Sequence, residues 1–387
     1  MIITSTIIFL CTLSFFVPRN RLHFFFVISA VLFSALYFWF SPPIDYDLYR
    51  HYLSFESMKN VSFQDLFDNQ YIFDNNLLNE YSKVSKVYII ILFILSRIGI
   101  KQILPWIAGV IIYTVASEMI WQTGSDLNSN KTAILFAFFF LYCCMDFRSV
   151  SGIRNMLAFI VFSFVLYQEL IQKKNKILCW ISYLSLCGIH MSCVIFVGLR
   201  MVLLIGKRWI KIPVIFVCFF LYGFSDIIAD FLTKFNEMPY LNALRLQIEG
   251  YLIGRSEYNP KGIFIYLIIE VGVLFLYLEV YKNKKFKKYM GQYGEYCLYV
   301  VMFALGSIRN YDLFVRSNII IISLFLPIIV FYFTYIIEFK GGGIRGISKR
   351  NDFKFNAVIV FSFLLVIFFE FYCRIRLNYI VMDLYFG

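Results

Sequence analysis

Long apolar runs follow one another through the chain with short polar segments between them. Residues 22–40, 153–170, 210–224, 262–281, 293–305, 315–337 and 357–372 are the clearest. Several approach the roughly 20 residues with which a helix crosses about 30 Å of hydrocarbon. Their apolar character continues around the helix, so they are not amphipathic surface helices. Ten-residue stretches of alternating polarity, the mark of an outer-membrane barrel, do not occur. The pattern predicts an all-α, polytopic integral membrane protein with about 12 transmembrane helices, one further re-entrant or interfacial helix and modest external loops. The first run, 2–17, has no basic segment before it and no small-x-small site after it, and reads as a membrane helix rather than a leader.

The polar punctuation assigns sides. Arg19 with Arg21; Lys173, Lys174 and Lys176; Lys207, Arg208 and Lys211; the run 282–288; and the segment 340–354 are basic clusters in short loops. The positive-inside rule makes them cytoplasmic. Segments 41–83, 226–261 and 307–316 are rich in carboxylates and aromatics and belong outside, the first two as the external loops. Counting crossings between these anchors leaves both termini external.

Two runs do not fit single crossings. Residues 84–121 look like two helices but must cross an odd number of times, so 84–100, which carries Lys86 and Arg97, is assigned as re-entrant or interfacial. The 30-residue run 177–206 has basic clusters at both ends, yet each half is short for a full span. Gly188, Ile189 and His190 would then form the tip of a helical hairpin ending within the membrane, with His190 in a crevice open to the outside. No linker, low-complexity segment or internal repeat divides the chain, so 1–387 is read as a single membrane domain.

Composition removes other classes. Hydrophobic residues make up 60% of the 387 and the mean hydropathy is +0.73, which excludes a water-filled fold. The net charge of +12 is accounted for by insertion topology, so no nucleic-acid partner is expected. Nine cysteines, almost all inside apolar runs, read as small packing side chains. With no zinc spacing or disulfide framework in view, neither a metal nor a cofactor is expected.

Charges within or beside apolar runs are expensive and mark candidate sites. After Pro42 and Pro43 a new helical pattern begins, in which Asp45 shares a face with Tyr49 and Asp47 with Arg50. A capped, solvated helix start is the plain alternative. Asp146, Arg148 and Arg154 surround the start of the next inward helix, where a guanidinium beside backbone N–H groups suits an anion. A lipid headgroup would suit it as well. Arg309, Asp312 and Arg316 fall on one helical face, either as a neutralised ladder or as two guanidinium groups held for a diphosphate. His190, with Ser192 after it, is the only histidine in an apolar setting and serves either packing or proton transfer. Glu270 lies mid-run, as a protonated packing group or a proton-coupling carboxylate. The GGGIRG of 341–346 formally matches a dinucleotide motif but follows a membrane helix rather than a strand.

In chain order, the Asp45/Tyr49 segment, the IRNMLAF helix start with Arg154, the basic QKKNK turn, the run broken by GIHMS (His190, Ser192) and the late RNYDLFVR (Arg309, Arg316) form a set. This set resembles the EpsG-like branch of the Wzy-type bacterial polysaccharide polymerases, which extend exopolysaccharide, capsule or O-antigen chains. The likeness covers most of the chain in order and spacing, through short motifs. In that family the arginine at the helix start is commonly followed by Gln-Gly, whereas Asn155 and Met156 follow Arg154 here.

The resemblance implies a glycosyltransferase at the outer face of the bacterial cytoplasmic membrane. It would move a growing glycan from polyprenyl diphosphate to the non-reducing-end hydroxyl of another lipid-linked repeat. Its partners would be an undecaprenyl-diphosphate-linked oligosaccharide, the lipid bilayer, and a chain-length regulator or flippase of the same pathway. His190, Asp45 and Arg154 would be catalytic, with Arg309, Asp312, Arg316, Asp47, Tyr49, Arg50 and Arg148 binding substrate. Tyr46, Tyr52, Phe55 and Tyr71 would add surfaces for sugar stacking. A transporter or flippase for lipid-linked glycans, a permease using Glu270, and an O-antigen ligase are the rival readings.

Overall fold

The computed structural model of the protein describes residues 2–44, 46–66, 78–79, 85–145, 147, 152–205, 208–220, 233–234, 260–308, 310–341, 349–376, 382 and 385–386, without the side chains of 208, 210, 312, 336–341 and 349–360. The expected external loop 226–261 therefore lies almost wholly outside the described residues, as do 67–77 and 80–84 of the loop 41–83.

Among the described residues every regular element is a helix. In chain order these are α1 (Ile2–Phe16), α2 (Leu22–Ala35), α3 (Asp47–Met58), α4 (Lys86–Ser96), α5 (Ile103–Asp126), α6 (Lys131–Cys144), α7 (Ile153–Leu170), α8 (Lys176–Cys187), α9 (Cys193–Ile205), α10 (Arg208–Phe219), α11 (Pro260–Tyr281), α12 (Lys284–Gly306), α13 (Tyr311–Gly341) and α14 (Lys349–Arg374). Five helical segments are long and apolar enough to cross a membrane: Arg19–Phe38, Ile103–Asp126, Ile153–Leu170, Pro260–Tyr281 and Leu313–Tyr335. Five is fewer than the sequence pattern suggested. The other apolar helices α1, α4, α6, α8 and α9 have only 10–17 residues, and at about 1.5 Å per residue such a helix falls short of about 30 Å.

The outer surface supports a membrane-embedded protein. Phe16 is 78% exposed and Ile177 70%, and Phe24, Leu178, Leu184, Phe361 and Phe368 are exposed with them. Apolar surface on this scale is costly in water and natural against lipid tails. The centre of the bundle is α13, whose apolar window is 89% buried, against 44% for the peripheral α11. It packs on α5, α6, α7, α11 and α12. Close approach of α2 to α5 depends on Gly109, where a Cβ would stand 2.6 Å from Ser34 Oγ.

Side-chain contacts show which helix ends lie together. Lys131 Nζ donates to Phe15 O at 2.6 Å, joining the start of α6 to the end of α1. His23 Nε2 and Glu118 Oε2 meet at 2.6 Å, joining α2 to α5. Gln172 Nε2 and Tyr289 Oη both donate to Asp126 Oδ2, at 2.6 and 2.7 Å, which gathers the ends of α5 and α7 with the start of α12. The basic clusters at 19–21, 173–176 and 282–288 thus share one end of the bundle with Lys131, as the charge pattern predicts. At the other end Tyr37 Oη donates to Phe147 O at 2.7 Å, and Ser41 N–H donates to Tyr385 O at 2.8 Å.

Candidate functional site

Helices too short to cross frame the site, and two spanning helices, α7 and α13, supply its arginines. Helices α8 and α9 have 12 and 13 residues, about 18–20 Å of helix, and form the expected hairpin with its tip at 188–192. A buried ion pair holds both arms to α7. Arg200 of α9 donates from Nε to Glu169 Oε2 at 2.9 Å and from Nη2 to Oε1 at 2.7 Å. Tyr183 of α8 donates to Glu169 Oε2 at 2.9 Å. All three side chains are buried, so the charges need this two-pronged geometry and the added tyrosine bond to offset lost hydration.

The tip serves as the docking point for α4. The N–H groups of Val87 and Tyr88 both point to Gly188 O, at 3.1 and 3.4 Å. Only a glycine allows this approach, since a Cβ at 188 would sit 2.6 Å from Val87 Cγ2. Helix α4 has 11 residues and runs beside α3 in the same direction. Tyr88 near its start meets His51, while Arg97 just past its end donates to Lys59 O at 2.6 Å and to Val61 O. Arg97 thereby supplies donors to carbonyls left over where α3 ends. At 11 residues α4 is too short to span about 30 Å as a helix. Helix α3 is amphipathic, burying Leu48, His51, Tyr52, Phe55 and Met58 at helical spacing.

Around this scaffold four predicted residues converge. Arg154, in the first turn of α7, donates from Nη1 to Ser85 Oγ at 3.4 Å and lies over the Tyr88 ring at 5.5 Å. Its charge bears on both His51 and His190. Arg316 of α13 also bears on His190, and both Asp47 and Arg154 bear on Arg316. Asp47 forms a 3.8 Å ion pair with Arg50 on the exposed side of α3. Tyr49 lies half-buried on the same turn. The backbone of Asp312 belongs to the first turn of α13, while Asp45, Asp146, Arg148 and Arg309 lie outside the described residues.

His190 corrects one expectation. It is only 3% exposed, with its ring edge-on to Phe159 at 5.6 Å, so it does not line a crevice open to the outside. Ser192 N–H donates to its Nδ1 at 3.2 Å, which leaves Nε2 as the nitrogen available for other chemistry.

Two contributors were hidden in the sequence. His51 reads there as a loop histidine, and Tyr88 as part of a membrane run. They meet at 2.7 Å between Tyr88 Oη and His51 Nδ1, with the rings edge-to-face. Burial first, and then the Arg154 charge, pull the His51 imidazole down to about 3, so the ring is neutral near pH 7. The signal for His51 was its place on the apolar face of 48, 51, 52, 55 and 58. Glu169 and Arg200 were likewise missed, although each is a charge inside an apolar run.

Two guanidinium groups from separate helices thus act electrostatically on one buried histidine, with one carboxylate for partial balance. Such a group suits an anion carrying more than one negative charge. Among the described residues no cluster of histidine, cysteine and carboxylate side chains has the makings of a metal site. Glu270, buried at mid-helix in α11, neighbours Asn318 of α13. No protein-family model, curated protein or solved structure matches the chain.

Proposed function

We propose that the chain is a Wzy-type polymerase of lipid-linked oligosaccharide repeat units, crossing the bacterial cytoplasmic membrane with about 12 helical segments, some of them short. The observation that carries this reading is that the charges of Arg154 and Arg316, from two separate helices, both act on His190 at the bundle end away from the basic clusters. By the positive-inside rule that end faces outward, where lipid-linked donors are presented.

In the reaction, a hydroxyl of one repeat attacks the anomeric carbon of the growing chain. The bond to the polyprenyl diphosphate breaks, and its electron pair leaves on the diphosphate oxygen. Arg154 and Arg316 stabilise that developing charge. The hydroxyl proton passes to Asp45, or to His190 Nε2 where substrate entry opens the packing around that ring. Asp47 and Arg50 border the approach, with Tyr49 beside them as a stacking surface for sugar.

The test is to add the undecaprenyl-diphosphate oligosaccharide to purified protein and resolve the products on a gel. A ladder at repeat-unit spacing from the wild type, absent with Arg154→Ala, is the expected result. The buried mid-helix Glu270 favours a second reading, a transporter or flippase of the same lipid. Movement of the lipid across vesicles without a ladder, lost in Glu270→Gln, would replace the polymerase reading with that one.

A further inference from the structure

At the end of the bundle opposite the proposed site, a cavity of about 240 Å3 opens between the end of α5, the start of α12 and the later part of α13. Leu127 and Phe331 give it apolar walls, while Asp126, Lys285, Tyr289 and Tyr335 supply polar ones. Most of that polarity is committed. Asp126 Oδ2 already accepts from Tyr289 and Gln172, and the Thr334 hydroxyl, also in the lining, is 2.5 Å from Ser129 Oγ. The Lys285 ammonium makes no hydrogen bond or ion pair with a described residue. Lys284 and Lys288 share that state among the described residues but do not line the cavity, and the other two lysines of the run are engaged. Lys282 pairs with Glu279 at 3.2 Å, and Lys287 lies over the Tyr281 ring at 4.6 Å.

We infer that this cavity binds the headgroup phosphate of an anionic phospholipid, with Lys285 as its cation and Phe331 and Leu127 against the glycerol and upper acyl chain. The cavity lies at the bundle end where the chain gathers Arg19, Lys131, Lys173 and the 282–288 run. In a membrane that end meets the leaflet rich in anionic lipid, and a cavity there whose carboxylate is already hydrogen-bonded and whose lysine is not favours such headgroups. A free phosphate shares the headgroup chemistry but gains nothing from the apolar walls. A metal cation would compete with the two donors that already occupy Asp126. The inference depends on the membrane reading of the chain and not on polymerase activity.

The test is native mass spectrometry of the full chain in detergent, titrated in turn with phosphatidylglycerol, phosphatidylcholine and inorganic phosphate. Phosphatidylglycerol should be retained at one per chain. Retention should weaken about fivefold in Lys285→Gln, stay unchanged in Lys288→Gln and return in Lys285→Arg. Circular dichroism on each variant separates a binding defect from a folding one. Equal losses in Lys285→Gln and Lys288→Gln would mean diffuse attraction by the whole run and overturn the site. Saturation by inorganic phosphate that excludes the lipid would make the ligand a free anion, and equal retention of phosphatidylcholine would make the cavity an uncharged groove. Either would also overturn the inference.

Discussion

The Tyr88 hydroxyl and His51 Nδ1 stand 2.7 Å apart, a bond that joins α3 to α4 beneath the Arg154 guanidinium. The His51 ring is buried, so the bond has no water to replace it. Tyr88→Phe keeps the ring that Arg154 lies over and removes only the hydroxyl. It should cost about 1–3 kcal/mol for the orphaned nitrogen, read as a lower melting temperature in detergent. Product formation should fall much less than in Arg154→Ala, because the arginine keeps its ring contact.

Acid should weaken the fold through His51. Its folded-state value lies near 3, below the ordinary 6.5, so the stabilisation is complete above about 6.5. As pH falls from there toward 3 the unfolded chain takes up a proton that the folded chain refuses, and stability declines. Melting temperatures recorded from pH 8 to pH 4 should show this slope in the wild type. The slope should be shallower in His51→Gln; an identical slope would mean that another group is responsible.

Breaking the buried pair on one side should be severe. Glu169→Gln strands the Arg200 guanidinium in an apolar setting, and Arg200→Met strands the carboxylate. Each should lose about 3–5 kcal/mol. The double variant Glu169→Leu with Arg200→Met leaves no charge to strand and should recover much of that loss in the same unfolding assay.

Gly188→Ala should disturb the tip by pressing its new methyl into Val87. A second change, Val87→Ala, opens that space and should restore both stability and activity. If the pair behaves as the sum of its parts, the contact does not govern the docking of α4.

Arg316→Lys retains the positive charge but gives up the planar fork. A diphosphate held by two prongs should feel that change as a tenfold or greater loss of product, on the order of 1.4 kcal/mol or more. A variant with wild-type yield would show that only charge matters at this position.

Much of this architecture is written in runs and charges, which act over tens of residues. The helical class, the hairpin around 188–190 and the grouping of basic loops at one end all follow from where apolar residues stop and lysines begin. The start of α7 at Arg154 is legible for the same reason. What the pattern hides is depth and partnership. His51 looks solvent-facing because 41–83 is polar on average, and only the spacing of Leu48, Tyr52 and Phe55 reveals the buried face. Glu169 and Arg200 stand 31 positions apart, and nothing local in sequence couples them. Five helical segments among the described residues are long and apolar enough to span, and consecutive apolar residues do not disclose where a shorter helix turns back. The burial of His190 is not legible locally either, since nothing in the sequence announces the edge contact with Phe159 or the Ser192 N–H that donates to its Nδ1.

Helix α7 has the proposed anion-holding arginine in its first turn and the gripped carboxylate in its last. Residues 154 and 169 are 15 positions apart, roughly 22 Å along a rigid helix. One degree of tilt about the gripped end therefore carries Arg154 through about 0.4 Å, a substantial fraction of the tolerance of a charge-assisted hydrogen bond. The helix is a lever with its fulcrum at the far side of the bundle. A perturbation that loosens Arg200 is magnified at the opposite surface, and loss of alignment there should precede any loss of helix.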